Sequence, residues 1–165
     1  MVKVTSLEHV KIEIATPEHI DALKELTKEL VEGLDQDFEA KRFDWGIRRR
    51  LYDPLQRHGI LIAIDEQKDD EVVGMIIAEL RIDPFGKSEG YIKQVFLKDQ
   101  YRGKGLGKKL LNRALNHLRK IKVEKIKVNV KDQAEEAASL YKKMAFKKKY
   151  EVLELDLTDD EEPGE

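Results

Sequence analysis

From Glu71 to Leu97 the chain carries two long strand-like runs, EVVGMIIAELRI (71–82) and EGYIKQVFL (89–97), split by the turn DPFGK (83–87). Asp-Pro followed by Gly interrupts regular structure and supplies the backbone angles that a reversal needs. Two runs joined so tightly close as an antiparallel hairpin. ILIAID (60–65) adds a further apolar strand before them, connected through the polar stretch EQKDD. The sheet is therefore expected to be mostly antiparallel, and the segment after Leu97 leaves a hairpin rather than a βαβ unit.

That segment contains YRGKGLGKK (101–109), with three glycines and four cationic side chains in nine positions. Beyond it Gly107, Leu110, Leu111, Ala114, Leu115 and Leu118 fall at helical spacing, which predicts an amphipathic helix starting near Lys104. Glycine and positive charge ahead of a helix suggest a phosphate site. The nucleoside-triphosphate loop G-x-x-x-x-G-K-[ST] fails, because Lys109 stands where a hydroxyl is needed and Arg102 where the first glycine is needed. The dinucleotide fingerprint G-x-G-x-x-G fails from Gly103 and from Gly105, whose last positions are Lys108 and Leu110. What remains is a loop whose glycines let backbone N–H groups approach a diphosphate, backed by a helix N-terminus. The alternative is a tight strand-to-helix turn with a solvated basic face.

Upstream, VKIEIA (10–15) alternates as a strand; Thr16, Pro17 and Glu18 then open a helix marked by Ile20, Leu23, Leu26, Leu30 and Leu34, with Gly33 near its end. A second helix is expected from about Phe38 to about Leu51, before Asp53-Pro54. Downstream, KIKVNV (125–130) is a strand. Asp132 caps the next helix, with Glu135 in the capping-box position, and Ala134, Ala137, Ala138, Tyr141 and Met144 share one face of it. FKKKYEVLELDL (146–157) alternates as a last strand, whole or broken in two, and TDDEEPGE (158–165) is an acidic tail of disorder-prone composition. The order βααβββαβαβ(β) defines one mixed α/β domain over residues 1–157, a central sheet flanked by about four helices.

Composition removes several functions. The absence of cysteine excludes disulfides, thiolate nucleophiles and cysteine-ligated zinc. His9, His19, His58 and His117 lack metal-ligand spacing, so no metal is expected. The N-terminal stretch lacks signal-peptide features, and no apolar run approaches ~18–20 residues; a cytoplasmic protein off the membrane is expected. A formal net charge of −2 argues against strong global attraction to nucleic acid, leaving room only for a local basic patch. The lysines at 142, 143 and 147–149 read as a solvated face or a partner surface.

Arg102-Gly103-Lys104-Gly105-Leu106-Gly107 fits the [QR]-x-x-G-x-[GA] signature of the GNAT superfamily of N-acetyltransferases, and LYKKMAF (140–146) is similar to that family's LYxxxGF segment. The flanking LKDQY and KKLL, and the element order over residues 10 to 157, resemble the family as well. The resemblance implies acetyl-coenzyme A bound in a V-shaped opening between two splayed strands. Val95, Phe96 and Leu97 would face the pantetheine arm with backbone groups. The amides of Arg102, Gly103, Lys104, Gly105, Leu106, Gly107 and Lys108 would wrap the pyrophosphate, and Lys104, Lys108 or Lys109 would meet the 3′-phosphate.

The chemistry so implied is direct attack of a primary amine on the thioester through a tetrahedral intermediate. The acceptor would be a small molecule, a peptide N-terminus or a lysine side chain, and a homodimer is compatible. Tyr141 takes the place of the family's proton donor to the leaving thiolate; without the resemblance it reads as a packed core tyrosine. The backbone N–H of Phe96 or a neighbour is the candidate oxyanion donor. The base is open among Glu79, Glu89 and water, because Lys93 and Gln94 stand where many members carry glutamate. Ala134 replaces a family asparagine, and Ala145 replaces the glycine of the GF pair. These departures keep a second function in view, a coenzyme A-binding sensor or regulatory module with little turnover. Trp45, Phe38, Phe43 and Tyr52 would line an acceptor pocket or pack the second helix, and Glu32, Asp35, Asp37 and Glu39 would draw a cationic amine or form a solvated loop.

Overall fold

The computed structural model describes residues 7–130 and 135–158. Asp132, Ala134 and the tail from residue 159 lie outside the described residues. The chain divides into two compact units, residues 1–129 and 130–165.

In the first unit the order is β1 (Val10–Ile14), a 3-10 turn (Pro17–His19), α1 (Ile20–Gly33), α2 (Ala40–Tyr52), a second 3-10 turn (Arg57–Gly59), β2 (Ile60–Asp65), β3 (Glu71–Ile82), β4 (Ser88–Leu97), a third 3-10 turn (Asp99–Tyr101), α3 (Leu106–Lys120) and β5 (Lys125–Val128). Five strands form one sheet in the order β1-β2-β3-β4-β5. The first three junctions are antiparallel, and β4 with β5 is parallel. The mixed, mostly antiparallel sheet with flanking helices agrees with the sequence reading, and β3 with β4 is the hairpin expected at 71–97.

Local chemistry explains the turns. Asp69 and Asp70 at the β2–β3 turn both have positive φ, 52° and 56°, the backbone that matches the twist of a tight hairpin. At the β3–β4 turn the Asp83 carboxylate accepts from Phe85 N–H (2.8 Å) and Lys87 N–H (2.9 Å). Gly86 supplies a φ of 82° there.

The core has two sides. Ile20, Leu23 and Leu26 of α1 and Ile47 and Leu51 of α2 pack with Ile60, Ile62, Met75, Ile77 and Phe96. On the other face α3 turns Leu110 toward Gly74 and Leu118 toward Gly90, where a Cβ would come within 2.8 Å of Leu118 Cδ1. β3 outruns β2, whose last partner pair is Ile60 with Ile77. The Gln56 side chain completes that edge, donating to Leu80 O (2.7 Å) and accepting from Leu80 N–H (2.9 Å).

In the second unit α4 (Glu135–Lys143) ends in a Schellman motif. Ala145 N–H donates to Lys142 O and Phe146 N–H to Tyr141 O, both at 3.1 Å, and the Phe146 and Tyr141 rings meet edge to face at 5.4 Å. That motif places its reversing residue in the left-handed region, and Ala145 has φ 70°. An L-residue there is strained by about 1–2 kcal/mol. Ala145→Gly is expected to stabilise the chain by about 1 kcal/mol, read as a higher urea midpoint at unchanged slope.

The alternating run at 146–157, expected as the last strand, forms no strand. Leu153 and Leu155 are 93% and 81% exposed. Alternation makes a chain able to lie on a sheet, but a strand also needs a neighbour's N–H and C=O groups, and no ladder among the described residues supplies them to this run.

Candidate functional site

The pairing of β4 with β5 stops at Ile92 and Val128, while β4 runs on to Leu97. From Lys93 to Leu97, β4 has no strand partner on that side among the described residues. A bulge sits at the start of the open stretch. Ile92 pairs with Ala78 and Gln94 with Ile77, so Lys93 is an extra residue on β4. Such a bulge bends a strand and sharpens its twist, and it sits where the pairing of β4 with β5 ends.

Which backbone groups face the opening is set by the ladder. Lys98 N–H donates to Val73 O at 2.9 Å. Alternate residues of a strand aim their N–H and C=O the same way, so Phe96 and Gln94 direct theirs to β3. Val95 and Leu97 direct theirs into the opening. Phe96 N–H, named from sequence as an oxyanion donor, is thus committed to the sheet, and its neighbours hold the outward amides. Leu97 O already accepts from Arg102 Nε at 3.1 Å, and Arg102 also pairs with Asp99 at 3.1 Å. The Phe96 side chain is buried.

The glycine loop leads from this strand end into α3. Gly103 and Gly105 have φ of 73° and 85°, a region L side chains avoid. An added Cβ at either would meet nothing within 4 Å, whereas at Gly107 it would meet Leu97 Cδ1 at 3.5 Å. The loop therefore presents bare backbone outward. Lys109 N–H bonds to Gly105 O at 3.1 Å, the start of the helical ladder. The amides of Leu106, Gly107 and Lys108 precede it, and no helix supplies acceptors for its first-turn N–H groups. Leu106 itself is buried and anchors the helix. The helix start lies two residues later than the sequence suggested, because Gly105 is the left-handed cap.

One buried contact fixes this loop. The Tyr101 hydroxyl donates to the Asp65 carboxylate, and both residues are almost fully buried. The phenol's hydrogen bond holds the Asp65 carboxyl below its ordinary pKa, helped by Gln67 N–H against the opposing effect of burial. Burial, then the bond to Asp65, pushes Tyr101 above its own. Asp65's contribution to stability is thus present above about pH 4 and fades as pH falls through the depressed value; Tyr101's is present below about pH 10 and fades as pH rises through the raised value. Tyr101→Phe is expected to cost about 1–3 kcal/mol near neutrality, with the deficit shrinking in acid, as read by urea unfolding across pH. Neither residue carried a functional signal in the sequence; Asp65 shows only as the acidic end of an otherwise apolar strand.

Beside the paired end of β4 lies a charged floor. Glu79, Tyr91 and Lys127 share one row across β3, β4 and β5. Glu79 pairs with Arg81 (3.2 Å) and Lys93 (3.7 Å), and Glu89 with Lys127 (2.9 Å). The Tyr91 ring lies under Arg81 at 4.3 Å, Lys93 at 5.4 Å and Lys127 at 5.7 Å. Both carboxylates named as bases therefore sit in ion pairs. In the second unit Tyr141 is partly buried, and burial raises its pKa, so the phenol keeps its proton at neutral pH. Among the described residues no cluster of His, Asp and Glu is able to hold a metal, and no helix is long and apolar enough to cross a membrane.

Comparison with known proteins defines the class. The model of the acetyltransferase (GNAT) family matches residues 20–146, and the chain belongs to that family. Among solved structures it is similar to the aminoglycoside N-acetyltransferase AAC(6')-Iy in complex with CoA, with TM-score 0.73 and 14% identity over 90% of this chain and 94% of that one. It is similar to a possible acetyltransferase from Clostridium difficile 630, with TM-score 0.73 and 19% identity over 91% and 99% of the two chains. A ribosomal-protein-alanine N-acetyltransferase from Brucella melitensis biovar Abortus 2308 gives TM-score 0.70 and 19% identity over 90% and 99%. At these identities the likeness is one of fold. No curated protein matches the chain by sequence.

Proposed function

We propose that the chain is an N-acetyltransferase that moves an acetyl group from acetyl-coenzyme A to a primary amine by direct attack. The observation that carries this reading is the open end of β4 running straight into a loop of left-handed glycines and a helix N-terminus. The outward amides of Val95 and Leu97 and the outward carbonyl of Val95 suit a narrow, amide-bearing arm laid alongside them. Bare backbone at Gly103 and Gly105, with the first-turn amides of α3, suits a diphosphate. When bound, the coenzyme supplies an activated thioester. Its 3′-phosphate falls to Lys104, Lys108 or Lys109.

The chain's own residues then have separate tasks. Val95 or Leu97 N–H stabilises charge on the carbonyl oxygen. Tyr141, protonated at neutral pH, donates to the departing sulfur. The ammonium proton leaves through water to Glu79 or Glu89, or to bulk water. The charged floor favours one rival reading. With Glu79 and Glu89 both in ion pairs, a coenzyme sensor with little turnover would have the same binding elements and no ready base.

Calorimetric titration with acetyl-coenzyme A, followed by thiol release over a panel of small amines, peptide N-termini and lysine peptides, tests both. Binding with transfer to one amine class is expected. Binding without transfer to any amine would leave the sensor, and absence of binding would remove both readings.

A further inference from the structure

The formal charge of −2 conceals a segregation. Between Ala40 and Tyr52, α2 carries five cationic side chains against one carboxylate, a net of +4, so the other residues carry −6. The apolar face of α2 is spent on the core through Ile47 and Leu51. Its outer face is neither apolar nor simply solvated. Lys41, Trp45, Arg48, Arg49 and Tyr52 follow one another at helical spacing and, with Asp44, line a shallow open groove. Trp45 and Tyr52 are 65% and 64% exposed, which is unusual for rings so costly to hydrate. The Arg49 guanidinium lies over Trp45 at 5.2 Å from the ring centroid. Arg48 is held by Asp44 at 2.9 Å.

We infer that this face of α2 docks unpaired RNA. Cations spaced between exposed aromatic rings are the combination that tracks a phosphate backbone while bases stack on the rings. An acidic peptide would engage the cations and leave both rings in water. Duplex nucleic acid would do the same, because its bases are already stacked and their faces are closed to the rings. Unpaired, splayed bases are the ordinary state of RNA loops, and they stack on aromatic rings and guanidinium planes alike. The site is independent of the coenzyme loop, so this inference and the acetyltransferase reading stand or fall separately.

Trp45 is the sole tryptophan of the chain, so its fluorescence reports on the face directly. Titration with an unstructured RNA of roughly 12 nucleotides at about 50 mM salt is expected to give saturable quenching that weakens steeply with added salt. With a labelled RNA and anisotropy as readout, Trp45→Ala and the pair Arg48→Glu with Arg49→Glu should each weaken binding about tenfold or more, and Trp45→Phe should retain most of it. Far-UV circular dichroism and the urea midpoint of the same variants check that they are folded. A blunt DNA duplex and a polyglutamate peptide of equal charge should bind about tenfold more weakly than the RNA. No saturable quenching up to about 100 μM RNA would overturn the inference. Equal binding of the duplex or of polyglutamate would overturn it too, because charge alone would then explain the face.

Discussion

Tyr141→Phe is expected to lower kcat by about 10²–10⁴-fold, the usual range for a lost general acid, with the affinity for acetyl-coenzyme A unchanged within about twofold. The substitution deletes one hydroxyl and keeps the ring. The ring is what packs on Phe146 at the end of α4, and the main-chain bond from Phe146 N–H to Tyr141 O does not involve the side chain. The helix end therefore survives, and a loss of turnover reads on the proton. The sign of the pH effect is set by burial. Because Tyr141 has a raised pKa, the acid form persists past the ordinary tyrosine value of about 10. The parent should keep its rate to that point and lose it above, and the variant should lack that alkaline limb. Near-normal turnover in the variant would remove Tyr141 from the chemistry and return it to a packing role.

Gly105→Ala is expected to weaken acetyl-coenzyme A binding by about tenfold or more while costing only about 1–2 kcal/mol of stability. The stability cost is the left-handed backbone, φ 85°, imposed on an L-residue. No protein atom lies within 4 Å of the added methyl, so within the chain there is nothing further to lose. The binding cost is separate, because the methyl would stand between a diphosphate and the first amides of α3. Gly86→Ala supplies the control. Its φ is 82°, its Cβ also meets nothing within 4 Å, and it sits at the β3–β4 turn. It should lose comparable stability and bind the coenzyme as the parent does. Equal affinity in the two variants would show that the glycines of the loop serve the turn alone.

Much of the architecture could be read directly because it is local. The ends of β2 and β3 are marked by apolar runs stopped at Asp-rich turns, and α3 by six apolar residues on one stripe, all but Gly107 of which are buried. The loop was legible for the same reason: glycines at 103 and 105 mark left-handed backbone wherever they occur ahead of a helix. Even the strain at Ala145 could be anticipated from a missing glycine. What stayed hidden depends on partners distant in sequence. Tyr101 finds Asp65 across 36 residues, and no spacing rule connects them. Lys93 read as a lost glutamate, yet its position as the bulged residue, paired with Glu79 on the next strand, requires knowing the register of β3 on β4. The run at 146–157 failed in the opposite sense, since its alternation is real and its pairing partner is not supplied by the described residues.

The opening along β4 has a consequence for solubility. Five consecutive residues with no strand partner on the β5 side among the described residues, in the middle of a sheet, are a template for any extended peptide, including a second unfolded copy of the chain. Folded proteins protect such edges with bulges and with charge. Here one guard stands at each end of the gap. The bulge at Lys93 breaks the register on one side, and on the other Arg102 occupies Leu97 O with its guanidinium 6.0 Å from the Phe96 ring. A polypeptide strand needs an unbroken register and room for alternating side chains, and both guards deny it that. A narrow arm with neither requirement passes between them. The geometry that would admit the proposed coenzyme is therefore also a filter against aggregation, and loosening either guard should show first as self-association of the folded protein.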